Sequence, residues 1–261
     1  MTPDAVDADL PDALDAIAAV PTLLVACDVD GTIAPIAAHP ADAVVDADAL
    51  TALDQIARLP RTTVALVSGR ALLDLRAMTR LGPDVVLVGS HGAEHDDDVA
   101  LAPAASLLLA QVLRDVRHLS DAVAGVVVEE KATGVAVHVR QATRSDAAQL
   151  VAAVLAGPAT RPGVRTTHGK QVVELSVVDT DKGDAVDRLR RESGADAVVY
   201  AGDDVTDEWA FARLRPPDVG IKVGPGATGA GFRVATTHEM APLLTLLAVA
   251  RLRGIAGHRE T

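Results

Sequence analysis

Residues 23–32 read LLVACDVDGT, in which an apolar run is followed directly by two aspartates, a glycine and a threonine. A short apolar run rich in β-branched residues is typical of a strand buried on both faces of a parallel sheet. Two further runs have this form, because Ser68 follows residues 62–67 and Gly202-Asp203-Asp204 follows residues 197–201. Ligands bind at the carboxyl edge of such sheets. The sequence therefore predicts that these polar groups meet at one edge.

The order of predicted elements indicates an α/β fold that is interrupted once. Elements alternate along the first part of the chain as helix 46–59, strand 62–67, helix 71–80 and strand 84–88. The same alternation resumes after Lys182, so we expect a doubly wound parallel sheet of Rossmann-like organisation. Ser68 and Lys182 are separated by far more than the roughly 30 residues of a βαβ unit. An insertion is therefore expected between them.

The insertion has the pattern of an antiparallel sheet. Residues 125–131, 135–140 and 170–177 alternate between apolar and polar side chains, which indicates strands with one buried face. We predict an α+β cap domain at residues 101–179, inserted into a core formed by residues 1–100 and 180–261.

The alternation also predicts which cap side chains share a face, since side chains of a strand point alternately to its two sides. The polar side chains that fall on one face are Glu129, Lys131, His138, Arg140, Lys170 and Glu174. Such a face suits a sugar with many hydroxyl groups. A solvated sheet face has the same pattern, so alternation alone leaves both interpretations open.

Asp28 and Asp30 can divide the work of a phosphoryl transfer. One carboxylate can attack phosphorus, and the other can give a proton to the leaving alcohol and later activate water. Gly31 permits a sharp turn beside them. A pair of aspartates is common on protein surfaces, but the DxDGT pattern directly after a buried strand is far more specific.

Asp203 and Asp207 add carboxylates at the end of another strand. Oxygen ligands without His or Cys favour Mg²⁺. Lys182 and Ser68 would supply a cation and a hydroxyl to the phosphate. The alternative for Asp207 is that it caps the next helix.

Composition excludes some partners. The 261 residues carry a formal charge of -12, which argues against nucleic acid and acidic membranes. Neither an 18-residue apolar run nor a leader pattern is present, so a soluble, cytoplasmic protein is expected. The sequence indicates no obligate protein partner.

Several motifs together resemble those of one family of phosphohydrolases. They are DVDGTIAPI at 28–36, SGR at 68–70, GSHGAE at 89–94, DKG at 181–183 and GDDVTDEWAF at 202–211. In this order they resemble the haloacid dehalogenase superfamily and, within it, the trehalose-6-phosphate phosphatase family. The resemblance implies a haloacid-dehalogenase-like fold and Mg²⁺-dependent hydrolysis of trehalose 6-phosphate, the final step of trehalose biosynthesis, through an aspartyl-phosphate.

The resemblance also implies roles for individual residues. Asp28 would be the nucleophile, Asp30 the general acid and base, and Ser68 and Lys182 the phosphate binders. The metal ligands would be Asp28, Asp203 and the Asp30 carbonyl, supported by Asp207. The substrate-binding set would comprise Arg70, His91, Glu94, Glu129, Lys131, His138, Arg140, Lys170 and Glu174.

One departure from the family pattern concerns the cap. The family often continues the Glu174 strand with Arg and Pro, where this chain has Leu175-Ser176-Val177. Alternatives are a phosphatase for sucrose 6-phosphate or a glycosyl-phosphoglycerate, a receiver-type signalling module, and a sugar-phosphate-binding homologue without turnover. The large insertion argues against the receiver, and the intact acidic motifs argue against the inactive homologue.

Overall fold

The computed structural model describes residues 7–39, 42–95, 101–169 and 171–257. The described residues divide into two compact units: one runs to His95 and resumes at Asp181, and the other lies between those positions. Each unit has its own sheet and hydrophobic core. The predicted boundaries at 100 and 180 lie near this division.

The first unit alternates strands and helices. Within its described residues the elements are α1 (Leu10–Ala18), β1 (Leu23–Cys27), α2 (Ala47–Ala57), β2 (Thr62–Val67), α3 (Leu72–Thr79), β3 (Val85–Val88), α6 (Lys182–Ser193), β8 (Ala197–Gly202), α7 (Val205–Phe211), β9 (Val219–Val223), β10 (Phe232–Val234) and α8 (Met240–Gly257). Their six strands, all parallel where paired, have the order β10-β9-β8-β1-β2-β3. The predicted α/β class and doubly wound sheet are confirmed.

Both faces of this sheet are covered, which explains why its strands are apolar throughout. Every residue of β1 and β8 is buried. Alternate β1 residues belong to different cores, since Val25 packs with α1, α2 and α8 whereas Leu24 packs with α6 and α7. Burial raises the pKa of Cys27 to about 12, with Asp28 and Asp207 adding to the rise, so this thiol is a core residue.

Local signals in the sequence start two of the helices, α2 and α6. Asp46 accepts hydrogen bonds from Asp48 N and Ala49 N at the start of α2, at 2.8 and 3.1 Å. Asp181 and Asp184 form a capping box that starts α6 at Lys182. This capping box fixes the backbone of Lys182, the first residue of α6, next to the edge of the sheet.

The second unit is an antiparallel sheet with helices, as predicted. Its described elements are α4 (Pro103–Ser120), β4 (Val127–Lys131), β5 (Gly134–His138), α5 (Arg144–Ala156), β6 (Arg165–Gly169) and β7 (Val172–Ser176), and the strand order is β4-β5-β7-β6. The sequence analysis missed β6, since its residues RTTHG lack an apolar face. It also missed the short edge strand β10 of the first unit.

In the described part of the chain, we find no helix with both the length and the apolar character needed to cross a membrane.

Arg251 of α8 joins distant parts of the first unit. The residue is 1% exposed, and its guanidinium donates to Ala18 O, Arg61 O and Thr62 Oγ1, each at 2.9 Å, and to Pro21 O at 3.0 Å. It therefore ties α8 to the end of α1 and to the start of β2.

Replacing Arg251 with Leu should lower the free energy of unfolding by on the order of 3 kcal/mol, because several buried carbonyls would lose their donor. Urea denaturation of the intact chain measures this. Arg58, whose exposed pair with Asp54 is 2.8 Å long, provides the control. Arg58→Leu should cost less than about 1 kcal/mol, and equal losses in the two variants would contradict the role given to Arg251.

Candidate functional site

The polar residues that follow three adjacent strands lie at one edge of the parallel sheet. Cys27 pairs with Leu66 of β2 and with Ala201 of β8, so the three strands end at the same level. Asp28 and Ser68 follow directly, and Asp28 N donates to Ala201 O at 2.9 Å. The chain runs outward from β1 in both directions across the sheet, which makes the β1/β8 boundary a topological switch point.

Lys182 lies between two carboxylates at this edge. Its Nζ is 2.8 Å from Asp28 Oδ1 and 2.8 Å from Asp207 Oδ1, and its side chain is 2% exposed. Burial would lower the pKa of Lys182, but the charges of Asp207 and Asp28 and their hydrogen bonds raise it above its usual value. The lysine is therefore a fixed cation at the carboxyl end of β1.

The two carboxylates that Lys182 contacts are not equivalent. Burial raises the pKa of Asp28 well above its usual value, opposed by Lys182 and reinforced by Asp207 and Asp203. Burial also acts on Asp207, but Lys182 and several hydrogen bonds hold the pKa of that carboxyl below its usual value. An added cation near Asp28 and Asp203 would favour the ionised form of Asp28.

Asp207 is surrounded by donors. Its Oδ1 accepts from Lys182 Nζ and from Tyr200 Oη at 2.7 Å, and its Oδ2 accepts from Asp203 N and Asp204 N at 3.0 and 2.9 Å. Four donors engage the lone pairs of this buried carboxylate. These bonds orient Lys182 and the loop after β8, and the bond from Asp204 N belongs to the capping box of α7, which is the alternative considered for Asp207. Its predicted support of a metal site stays a prediction.

Asp203 lies against Gly31. A Cβ built on Gly31 would be 2.2 Å from Asp203 Oδ2, so a larger residue would collide with this carboxylate. Gly31 also has a φ of +84°, a backbone conformation that other residues rarely adopt. The carbonyl of Asp203 accepts from Lys222 Nζ at 2.5 Å. One carboxylate oxygen from each of Asp28, Asp203 and Asp207 lies within 4.8 Å of the others, a spacing that could hold a metal ion.

Arg70 contacts Asp30. Its Nε and Nη2 donate to the two carboxylate oxygens at 2.6 and 2.7 Å, a bidentate pair that is only partly exposed. The guanidinium therefore lies on the carboxylate that is predicted to be the acid and base. Substrate binding by Arg70 stays a prediction.

His91 and Glu94, also predicted to bind substrate, contact the loop that follows β2. His91 N donates to Ser68 O at 2.9 Å. Glu94 is 6% exposed, and its oxygens accept from Ser90 Oγ and from Leu72 N. His91 thus contacts Ser68, the predicted phosphate-binding residue, whereas Glu94 contacts the start of α3 and the turn at Ser90.

The second unit brings most of its predicted polar residues together. In the register of the cap sheet, Glu129 pairs with Ala136, which pairs with Glu174. Lys131 Nζ is 2.9 Å from Glu174 Oε1, and His138 Nε2 is 2.8 Å from Glu129 Oε2. The predicted common face is therefore confirmed for these residues.

Two predicted sugar-binding residues of the second unit remain, Arg140 and Lys170. Arg140 is exposed and lies just beyond β5. Lys170 lies outside the described residues. Where the family pattern has Arg and Pro, Ser176 Oγ donates to Val178 O at 3.1 Å and Val177 is buried.

Comparison with known proteins identifies the family. A family model described as trehalose-phosphatase matches residues 26–236, which include the second unit, most of the first and all the residues of the acidic cluster. The chain belongs to the trehalose-phosphatase family.

Similar curated members of the trehalose-phosphatase family come from mycobacteria. The trehalose-phosphate phosphatase of Mycobacterium ulcerans is 36% identical over 264 residues, and that of Mycobacterium tuberculosis is 36% identical over 263 residues. Each alignment covers 92% of this chain and 66% of the relative, so the chain spans somewhat less than two thirds of the length of these relatives.

Solved structures show the same fold. The C-terminal domain of a C. albicans trehalose-6-phosphate phosphatase has a TM-score of 0.79 at 22% identity, covering 95% of this chain and 98% of that one. A trehalose-6-phosphate phosphatase related protein has a TM-score of 0.68 at 26% identity, covering 91% and 100%.

Two residues that contact the acidic cluster, Tyr200 and Lys222, are not marked by any motif in the sequence. Both lie in strands whose residues are all buried. A Tyr hydroxyl or a Lys amine at such a buried position needs a polar partner. A polar side chain within an apolar strand is therefore the sequence feature that indicates a nearby polar site. Here the partners are Asp207 and the carbonyl of Asp203.

The contact between Glu129 and His138 makes a pH-dependent contribution to the stability of the fold. The hydrogen bond from His138 lowers the pKa of Glu129 below 4.5, burial opposes this, and the charge of Lys131 adds to it. Since the folded-state pKa is below that of the unfolded chain, ionised Glu129 stabilises the fold above pH 4.5, and the contribution is lost as the pH falls.

Glu129→Gln should therefore lower the thermal unfolding midpoint at neutral pH, and the difference from wild type should shrink as the pH is lowered through 4.5. Thermal unfolding of both proteins at a series of pH values measures this. A difference that is constant with pH would contradict the assigned ionisation.

Proposed function

We propose that this chain is a Mg²⁺-dependent phosphatase that hydrolyses trehalose 6-phosphate to trehalose and phosphate through an aspartyl-phosphate. The observation that carries the proposal is the buried Asp28 at the switch point of the sheet, fixed by Lys182 and adjacent to Asp203. Membership of the trehalose-phosphatase family supports the substrate.

The first step would transfer the phosphoryl group to Asp28. A carboxylate oxygen of Asp28 attacks phosphorus, and the bond between phosphorus and the sugar oxygen breaks. Asp30, two residues further on, gives its proton to that oxygen, so that the sugar leaves as a neutral alcohol. Asp28 then carries the phosphoryl group, and Asp30 is ionised.

The second step would regenerate the enzyme. Asp30 takes a proton from water, the resulting oxygen attacks phosphorus, and the bond between phosphorus and the Asp28 oxygen breaks. Inorganic phosphate leaves, and Asp28 is again a carboxylate. One pair of residues thus serves both halves of the reaction.

Arg70 bears on the role of Asp30. Arg70 donates to both carboxylate oxygens of Asp30, so it would orient this carboxyl group for its part in the reaction. An incoming phosphate, being an anion, offers Arg70 another partner.

Lys182 and Ser68 would hold the phosphate. Lys182 already neutralises part of the charge of Asp28, which reduces the repulsion between the nucleophile and a phosphate anion. The Ser68 hydroxyl lies at the end of the neighbouring strand and can donate to a phosphate oxygen.

The residues present fit a magnesium ion. Asp28 and Asp203 supply hard carboxylate oxygens close together, and the carbonyl of Asp30 is the third ligand that we propose. When bound, the ion would stabilise negative charge on the phosphate oxygens. Asp207 would hold Asp203 and Lys182 in place through the hydrogen bonds described above.

We assign the sugar to the second unit. Its polar face carries two acids, a lysine and a histidine, already paired as Lys131 with Glu174 and His138 with Glu129. Buried or half-buried ion pairs of this kind keep acceptors and donors ready for hydroxyl groups. Arg140 and Lys170 stay predictions as sugar contacts, as do the cytoplasmic location and the absence of nucleic-acid, membrane and obligate protein partners.

A substrate panel tests the proposal. We expect release of phosphate from trehalose 6-phosphate to exceed that from sucrose 6-phosphate and a glucosyl-phosphoglycerate by at least about tenfold in kcat/KM. Asp28→Asn, which keeps the shape of the side chain but removes the nucleophile, should abolish release and exclude a contaminating phosphatase. Preference for another sugar phosphate would contradict the assigned substrate, and near-normal turnover by the variant would contradict the nucleophile.

Removal of divalent cations should stop phosphate release, because Asp28 and Asp203 would lose the cation that we propose they hold. Turnover of trehalose 6-phosphate is measured in excess chelator and again after Mg²⁺ is restored. Full activity in chelator would contradict the metal requirement.

A further inference from the structure

The loop of Ser68, Gly69 and Arg70 is held by the segment 89–94, GSHGAE. Ser90 N donates to Arg70 O at 2.8 Å, and His91 N donates to Ser68 O at 2.9 Å. Ser90 and His91 have φ values of 46° and 55°, in the left-handed region that non-glycine residues seldom adopt. Such conformations persist where the surrounding contacts determine them.

The two segments are in close contact. A Cβ on Gly69 would be 2.5 Å from His91 Cε1, and a Cβ on Gly89 would be 2.7 Å from Leu72 N and 2.9 Å from Arg70 O. The two glycines therefore allow an approach that other residues would prevent. A shift of the GSHGAE segment would be passed on to Ser68 and Arg70.

Glu94 fixes both segments at once. Its Oε1 accepts from Ser90 Oγ, and its Oε2 accepts from Leu72 N at 3.0 Å. Leu72 is the first residue of α3, and the preceding Ala71 has no side-chain cap to offer. Glu94 thus caps α3 from a distance and fastens the left-handed turn at Ser90 to the start of the same helix.

We propose that Glu94 is a positioning residue of the phosphate site, setting the Ser68–Arg70 loop, rather than a contact for the sugar. Both of its oxygens accept hydrogen bonds from the protein, and the side chain is 6% exposed. The inference rests on the proposed phosphatase function. It makes a prediction that differs from sugar binding, because every phosphate ligand uses the loop whether or not it carries a sugar.

Glu94→Gln tests this with little change of shape, since it replaces one acceptor oxygen by a donor. We expect kcat/KM to fall by the same factor, about tenfold or more, for trehalose 6-phosphate and for p-nitrophenyl phosphate, which has no sugar. The Kd of inorganic phosphate in the presence of Mg²⁺, measured by calorimetry, should rise in parallel.

Two variants control for general effects. Asp196 Oδ2 accepts from Thr22 N at 2.9 Å at the opposite, amino edge of the sheet, so Asp196→Asn changes a similar bond far from the site and should leave phosphate affinity unchanged. Ser90→Ala removes only the hydroxyl that donates to Glu94. It should lower kcat/KM by a smaller factor than Glu94→Gln does, and by the same factor for both substrates.

The inference is wrong if Glu94→Gln impairs only the sugar substrate, which would make Glu94 a sugar contact, or if it changes neither substrate. Phosphate affinity does not require turnover. Wild-type protein that binds phosphate but hydrolyses neither ester would overturn the proposed function, and the comparison of affinities would still decide the role of Glu94. Wild-type protein that does not bind phosphate would overturn both.

Discussion

The site depends on one buried cation shared between two carboxylates. Lys182 could not be buried at the end of a parallel sheet without compensation, because an isolated ammonium in such a place would lose its proton. Asp28 and Asp207 supply that compensation, and Asp207 is in turn held by Tyr200 and by the loop after β8. Removing Lys182 would leave two carboxylates without their shared cation in the same small volume, so the arrangement depends most on this residue.

The network also links elements that are distant in sequence. Lys182 begins α6, Asp28 follows β1, and Asp207 belongs to α7. These elements converge because β1 pairs with β8, whereas the next strand along the chain, β2, lies on the other side of β1. The insertion between β3 and α6 does not disturb that order, since the second unit has its own core.

Much of the site could be predicted from the sequence because its signals are local. Asp28 and Ser68 follow short apolar runs of the kind that buried strands have, and alternation predicts Glu129 and Glu174 on one face of the second unit's sheet. The contacts that local signals do not predict, such as those of Glu94, are made with partners from other segments. No spacing rule within the chain reveals that a carboxylate at 94 caps a helix that begins at 72.

The sequence by itself determined the α/β class, the inserted α+β unit and the edge of the sheet where the chemistry is expected, because hydrophobic period and turn residues act over a few positions. Only the tertiary structure decided the strand order, the saturation of Asp207 by four donors and the pairing of Arg70 with Asp30. Hydrogen bonds and ion pairs depend on distances between side chains that pattern does not encode. Those distances follow from packing, which is a property of the whole fold.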